Sequence, residues 1–211
     1  MAQLLENQIE DILKLDKFET NDSNFLQKRD LFASTKLDQD IWSVIDHFGL
    51  FIGVQTLASR LATYEILKSI LDVPGNIIEF GVWKGSNLLF MAKVISLLRP
   101  NSNKKVIGFD NFEGLKKFSD QDGKKARDFV GMYKGDMQLL LEVIDLFDMQ
   151  NWVHLISGDA VDTIPYYEQK NPNELISLAY LDFDLYEPCK VALKYLSKHL
   201  SKGGIIAFDE G

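Results

Sequence analysis

An α/β protein, with an open sheet preceded by a helical region, is the fold class this sequence predicts, and three observations predict it. Short apolar segments recur from residue 77 onward, each with an acidic residue at or just past its end. Stretches with helical spacing of apolar residues lie between several of them. The first segment runs into a glycine turn and then a long apolar helix pattern, which is how an open α/β sheet begins a nucleotide-type ligand site.

The glycine turn is Gly75-Asn-Ile-Ile-Glu79-Phe-Gly81-Val-Trp-Lys-Gly85-Ser86. Ile77–Phe80 reads as the first strand. Leu88, Leu89, Met91, Ala92, Ile95 and Leu98 follow at helical spacing. Gly81 and Gly85 allow a sharp turn and a close approach of backbone to ligand. Glu79 selects the kind of ligand. A dinucleotide places its pyrophosphate on the helix N-terminus, where a carboxylate would repel it. S-adenosylmethionine (SAM) carries an ammonium, a sulfonium and no phosphate, so an acid here suits it.

The second strand is Val106–Asp110, and an acid at its end suits the two hydroxyls of a ribose. The third is Val153–Gly158, followed by Asp159. The fourth, Ile176–Asp184, is nearly continuous in apolar residues, as a strand covered on both faces should be. The fifth is Gly203–Asp209. Acids thus collect on one rim of the sheet, where ligands bind in such folds.

Ahead of the sheet, residues 1–36 are polar and weakly patterned. Residues 38–72 read as two helices, the second with a stripe of Leu57, Leu61, Tyr64, Leu67 and Leu71. Pro74-Gly75 ends it. These features divide the chain into a helical lid or substrate region, 1–74, and a ligand-binding core, 75–211. Residues 113–135 form a long charged connection, a length that is usually functional or mobile. Helices are expected from about Asp136 to Phe147 and from Pro188 to Leu200, the latter ended by Gly203 and Gly204.

Composition excludes several function classes. The net charge of −8 argues against nucleic acid as partner. Lys104-Lys105 and Lys124-Lys125 read as solvated loops. The single Cys189 falls on an apolar helix face and cannot form an internal disulfide, in keeping with a reducing cytoplasm. No signal peptide opens the chain, and no run of about 18 apolar residues could span a bilayer. The scattered histidines, His47, His154 and His199, read as structural or surface groups.

The ordered segments EFGVWKGS, GFDNFEGL, ISGDAVDTIP, LAYLDFDLYEP and GGIIAFDE resemble the macrocin/mycinamicin-type sugar O-methyltransferases, in their deoxyhexose 3-O-methyltransferase branch. The resemblance runs from about Pro74 to the last residue. It implies a Rossmann-like class I methyltransferase sheet of order 3-2-1-4-5, with SAM, a divalent metal such as Mg2+, and a nucleotide-linked or natural-product sugar hydroxyl as acceptor. By position it implies Glu79, Gly81 and Gly85 at the methionine part of SAM, Asp110 at the ribose and Asp159 at the adenine, with Ser86 also among the cofactor-binding residues. Asp182, Asp184, Asp209 and Glu210 fall on the family's metal and base segment. The family continues past the point where this sequence stops, so the C-terminal strands are expected to be missing and the remaining edge to favour self-association.

The acidic group also has a physical argument. Neighbouring strand ends lie about 5 Å apart, so Asp182 or Asp184 and Asp209 can converge on one hard cation. A sugar hydroxyl needs a base, and Asp182 or Asp184 could accept its proton. Alternation along a strand would put both on one side. Two rival readings are a non-catalytic SAM-binding protein and a short-chain-type NAD(P) oxidoreductase, the latter on the Tyr186-x-x-x-Lys190 spacing.

Overall fold

The computed structural model describes residues 40–209 together with Gln27, Lys28 and Leu31. The chain divides into two compact units after Gly53. In the first, helices α1 (Ile41–Asp46) and α2 (Phe48–Phe51) follow Asp40, whose carboxylate caps α1 by accepting from the Trp42 and Ser43 amides.

The second unit starts with α3 (Val54–Ser69), not at the expected boundary of 74. The reason lies in its C-terminal half. Leu67 and, just beyond the helix, Ile70 are fully buried in a cluster with sheet residues, so the helix is part of the core. Its N-terminal half is different: Leu57 and Leu61 are exposed, so only part of the expected stripe is a core face.

The sheet contains β1 (Asn76–Phe80), β2 (Val106–Asp110), β3 (Val153–Ser157), β4 (Ile176–Leu181) and β5 (Leu200–Phe208). Its order is β3-β2-β1-β4-β5 and every pairing is parallel, as the resemblance implies. Helices α4 (Ser86–Leu98), α5 (Met137–Leu146), α6 (Ala160–Lys170) and α7 (Tyr186–His199) supply the crossovers. Alternation along the strands divides the core in two. Ile77 and Leu178 face a cluster with α3, α4 and α5, whereas Ile78, Phe80, Ile107 and Phe109 face α6 and α7. Every residue of β4 is buried, the expected signature of a strand covered on both faces.

Several elements differ from the expectation. β4 stops at Leu181, short of Asp184. The last helix begins at Tyr186 and ends at His199; Gly203 and Gly204 lie inside β5. There the register slips, from Ile176 opposite Leu200 to Leu178 opposite Ile205. α6 carries Pro165 in its interior, which hides it from periodicity arguments. The 113–135 connection contains 3-10 turns at Asp120–Asp122 and Arg127–Phe129 flanking a single helical turn. Its two arms join at the base, Leu115 donating to the Met132 carbonyl and Gly131 to the Leu115 carbonyl. Lys104 is no solvated loop residue. Its ammonium donates to the Val73 and Gly75 carbonyls and to Ser177 Oγ, tying the N-terminal ends of β1 and β4 together. Among the described residues no helix is long and apolar enough to cross a membrane.

Leu67 and Leu61 lie on the same helix but in different environments, and their truncations should differ accordingly. Leu67→Ala is expected to cost about 2–5 kcal/mol in urea unfolding, and Leu61→Ala less than about 0.5 kcal/mol. Equal losses would contradict the division of α3 into a buried and an exposed half.

Candidate functional site

The C-terminal ends of the strands open into a cavity of about 720 Å³. Gly81, Asp110, Asp159, Asp182, Asp184 and Asp209 all line it. The parallel order brings these acids, from the ends of β2, β3, β4 and β5, to one rim, with Gly81 from the end of β1. Loop residues close the cavity, among them Trp83, Lys117 and Tyr133, whose φ angles of 49°, 57° and 59° are left-handed. Such conformations cost free energy in non-glycine residues and cluster at functional sites.

Gly81 is required by its surroundings. Its φ is +93°, and a Cβ there would lie 2.1 Å from the Asp182 carbonyl oxygen. The ends of β1 and β4 are that close because Asp182 donates its amide to Phe80 O. Gly85 is similarly constrained, since a Cβ would meet Leu140 at 2.4 Å.

Glu79, on β1, is only 1% exposed. Its Oε1 accepts from Asn87 Nδ2 at 2.8 Å, and its buried Oε2 has no partner. Burial pushes its pKa up to about 8; the Asn87 hydrogen bond opposes this, Asp182 and Asp110 add to it, and Arg60 counters them. An unpaired buried carboxylate oxygen is costly, and an ammonium donor would satisfy it. The donor set at the turn therefore fits the amino-acid end of SAM.

Asp110 builds the turn as well as lining the cavity. Its Oδ2 accepts from the Val82 and Trp83 amides at 2.7 and 2.8 Å, and its Oδ1 from the Phe112 amide at 2.6 Å. A carboxylate has about four acceptor positions, so ribose hydroxyls would share this group with the backbone. Asp159 caps α6 through Val161 N, and its other oxygen pairs with the Lys117 ammonium. Burial pushes the Asp159 pKa up, but Lys117 and the Val161 amide outweigh it and hold the carboxyl below its ordinary range. Ser86 is the first residue of α4 and accepts from Arg60.

Asp182 and Asp209 lie at the ends of adjacent strands on the Tyr180 side of the sheet. The Tyr180 hydroxyl donates to Asp209 Oδ1 at 2.7 Å. Burial and then this bond push the Tyr180 pKa well up, with Asp182 and Glu79 contributing, so the phenol remains a donor at neutral pH. Asp184 lines the same cavity from the loop after β4. β4 ends before it, so strand alternation no longer aligns it with Asp182. Its charge acts on the Cys189 thiol, which burial also pushes up. Glu210 lies outside the described residues. Among the described residues no three His, Cys, Asp or Glu side chains are grouped so as to hold a metal ion.

Neither His154 nor His199 lines the cavity: His199 is buried and stacks on Tyr195 at 4.4 Å, and His154 is exposed. His47, in the first unit, is exposed. Lys190 pairs with Glu187 and lies 5.5 Å from the Tyr186 ring centroid at the exposed start of α7. It forms no hydrogen-bonded Tyr/Lys pair of the oxidoreductase kind. Sequence reasoning missed Arg60, Asn87, Lys117 and Tyr180. Only Asn87, one residue into the helix after the glycine turn, had a positional signal.

The sequence matches the family described as Macrocin-O-methyltransferase (TylF) over residues 15–211. The chain belongs to this family. It is 30% identical over 177 residues to the 8-demethyl-8-(2,3-dimethoxy-alpha-L-rhamnosyl)-tetracenomycin-C 4'-O-methyltransferase of Streptomyces olivaceus, covering 80% of this chain. The match spans 64% of that relative's length. Among solved structures, the calicheamicin methyltransferase CalS11 superposes with a TM-score of 0.80 at 29% identity, covering 90% of this chain and 78% of CalS11. A structure of CalS11 described as an apo TDP-rhamnose 3'-O-methyltransferase superposes at 0.69, with the same identity and coverage. The superposition on CalS11 agrees with the sheet order β3-β2-β1-β4-β5.

Glu79 makes the stability of the ligand-free protein pH-dependent. In the unfolded chain its proton leaves near 4.5, and in the folded protein near 8. Between these values the folded state holds the extra proton, so this group's contribution falls as pH rises, by up to ~1.4 kcal/mol per pH unit. Glu79→Gln should flatten that slope in denaturant titrations at several pH values; an unchanged slope would show that Glu79 ionises normally. Gly81→Ala should lose about 1–2 kcal/mol from its φ alone, and more from the contact with Asp182.

Proposed function

We propose that this protein is a SAM-dependent O-methyltransferase acting on a deoxyhexose hydroxyl, either nucleotide-linked or attached to a natural product. The observation that carries the reading is the partnerless Glu79 oxygen at the glycine turn of a chain that belongs to the macrocin O-methyltransferase family. The two relatives named above support the acceptor class, since both are described as acting on rhamnose-type sugars. A small-molecule acceptor and a cytoplasmic setting go with this reading.

The residues divide the work by position. Glu79 receives the ammonium of SAM, with Gly81 and Gly85 keeping the backbone close. Asp110 receives the ribose and Asp159 faces the adenine, with Lys117 beside it. The connection at 113–135 forms one wall and excludes water. SAM supplies an electrophilic methyl group: the oxygen–carbon bond forms as the sulfur–carbon bond breaks, and the hydroxyl proton passes to a carboxylate. Asp184, which lines the cavity on the Cys189 side, is the base assigned here. The chain's contribution is chiefly to hold the reacting oxygen in line with the methyl group.

Asp182 and Asp209 are the residues that would hold a divalent cation, with Glu210 as a further oxygen donor. Hard carboxylate donors suit Mg2+, and such an ion would lower the pKa of the acceptor hydroxyl. Two carboxylates on adjacent strand ends support this assignment.

Labelled SAM and a panel of nucleotide deoxysugars provide the direct test: methyl transfer to a sugar is expected, and SAM binding without transfer to any acceptor would favour a non-catalytic role. Glu79→Gln should weaken SAM about ten- to a hundredfold, the range of a lost charge-assisted hydrogen bond. EDTA should abolish transfer, spare SAM binding and be reversed by magnesium. Full activity in EDTA would remove the cation and leave the carboxylates alone to take the proton.

A further inference from the structure

Arg60, in the middle of α3, makes three contacts with the first turn and a half of α4. Its Nη1 donates to Asn87 Oδ1 at 2.7 Å and its Nη2 to Ser86 Oγ at 3.1 Å. Its guanidinium carbon lies 5.6 Å from the Phe90 ring centroid. Asn87 in turn donates from Nδ2 to Glu79 Oε1. The polarity of this relay is forced by chemistry. A guanidinium has only donors, so it must take the amide oxygen, and the amide NH2 is left for the carboxylate.

The consequence falls on Glu79. A direct Arg–Glu contact is often bidentate and would engage both carboxylate oxygens. With the amide interposed, Oε1 is engaged and Oε2 has no partner. Among the described residues, Arg60 is the cation acting on Glu79, set against Asp182 and Asp110.

We propose that Arg60 and Asn87 are positioning residues for the cofactor carboxylate: Asn87 orients Glu79 so that Oε2 faces the ammonium of SAM, and Arg60 locks the Asn87 amide in the orientation that does so. The inference rests on the assignment of SAM to this turn. Neither residue touches the reacting atoms. Both act on the amino-acid end of the ligand and leave its adenosine end alone.

Asn87→Asp is the sharpest probe. It is nearly isosteric, an acid is favourable in the first turn of a helix, and Arg60 can still bond it. It can no longer donate to Glu79, and it offers an acceptor to a protonated Glu79 instead. Calorimetry on the full chain would compare SAM with 5′-methylthioadenosine, which has the adenosine but no ammonium. Asn87→Asp should weaken SAM at least about tenfold, the scale of a lost charge-assisted contact, with methylthioadenosine changed less than about twofold. Arg60→Gln should weaken SAM by a smaller factor with the same selectivity. In a Glu79→Gln background the Asn87→Asp penalty should shrink, because the carboxylate it misorients is gone. Equal losses for both ligands, no loss for either, or a penalty undiminished by Glu79→Gln would overturn the positioning role. If the unaltered protein binds methylthioadenosine but not SAM, or neither, the assignment of SAM fails first and takes this inference with it.

Discussion

A carboxylate buried at the end of the central strand sets the terms for the rest of this site. β1 is flanked by β2 and β4 and covered by helices on both faces, so Glu79 has almost no access to water. Removing a carboxylate from water is expensive unless it is paired or neutral. The fold answers with one amide hydrogen bond and a raised pKa, and leaves the second oxygen without a partner. A site of this kind is poised for a cation. It is also a local weakness in stability that a purely structural strand end would have no reason to keep.

The turn around that carboxylate is organised by a second one. Asp110 collects three backbone amides, two from the glycine turn and one from the segment after β2. It thereby joins the ends of β1 and β2 before any ligand arrives. Gly81 lets β4 approach on the other side, and the left-handed residues Trp83, Lys117 and Tyr133 shape the wall. Binding groups held this way by backbone and neighbouring strands need little rearrangement, which is where preorganised sites gain affinity. The connection at 113–135 is secured at two further points, Lys117 on Asp159 and Asp122 on the Tyr186 amide at the start of α7.

Much of this was legible beforehand. The strands were found within a few residues because buried parallel strands are short apolar runs, and the acids at or beyond their ends marked the ligand rim. Asp110 and Asp159 do line the cavity, but their backbone and Lys117 partners were not foreseeable. Such partners come from segments distant in sequence, 42 residues apart in the case of Lys117 and Asp159. Alternation could not carry the pairing of Asp182 with Asp184, because it holds only while a strand continues and β4 ends at Leu181; the fold beyond the strand brings both to the cavity. Lys104 was misjudged because a lysine beside another lysine looks solvated, whereas here three oxygens converge on it. That α3 packs into the core of the sheet was not legible, since a helical stripe does not say which partner buries it.

What the sequence by itself determined is the alternation of strands and helices, the glycine turn and the chemical character of the rim. Those depend on local properties: burial pattern, backbone freedom at glycine, and charge at strand ends. What only the tertiary structure decided is which of those groups meet. Arg60 reaches Glu79 through Asn87, and Tyr180 donates to Asp209, because packing brings together residues that no spacing rule connects. Hydrogen bonds act over about 3 Å, and only the folded chain sets distances on that scale between residues far apart in sequence.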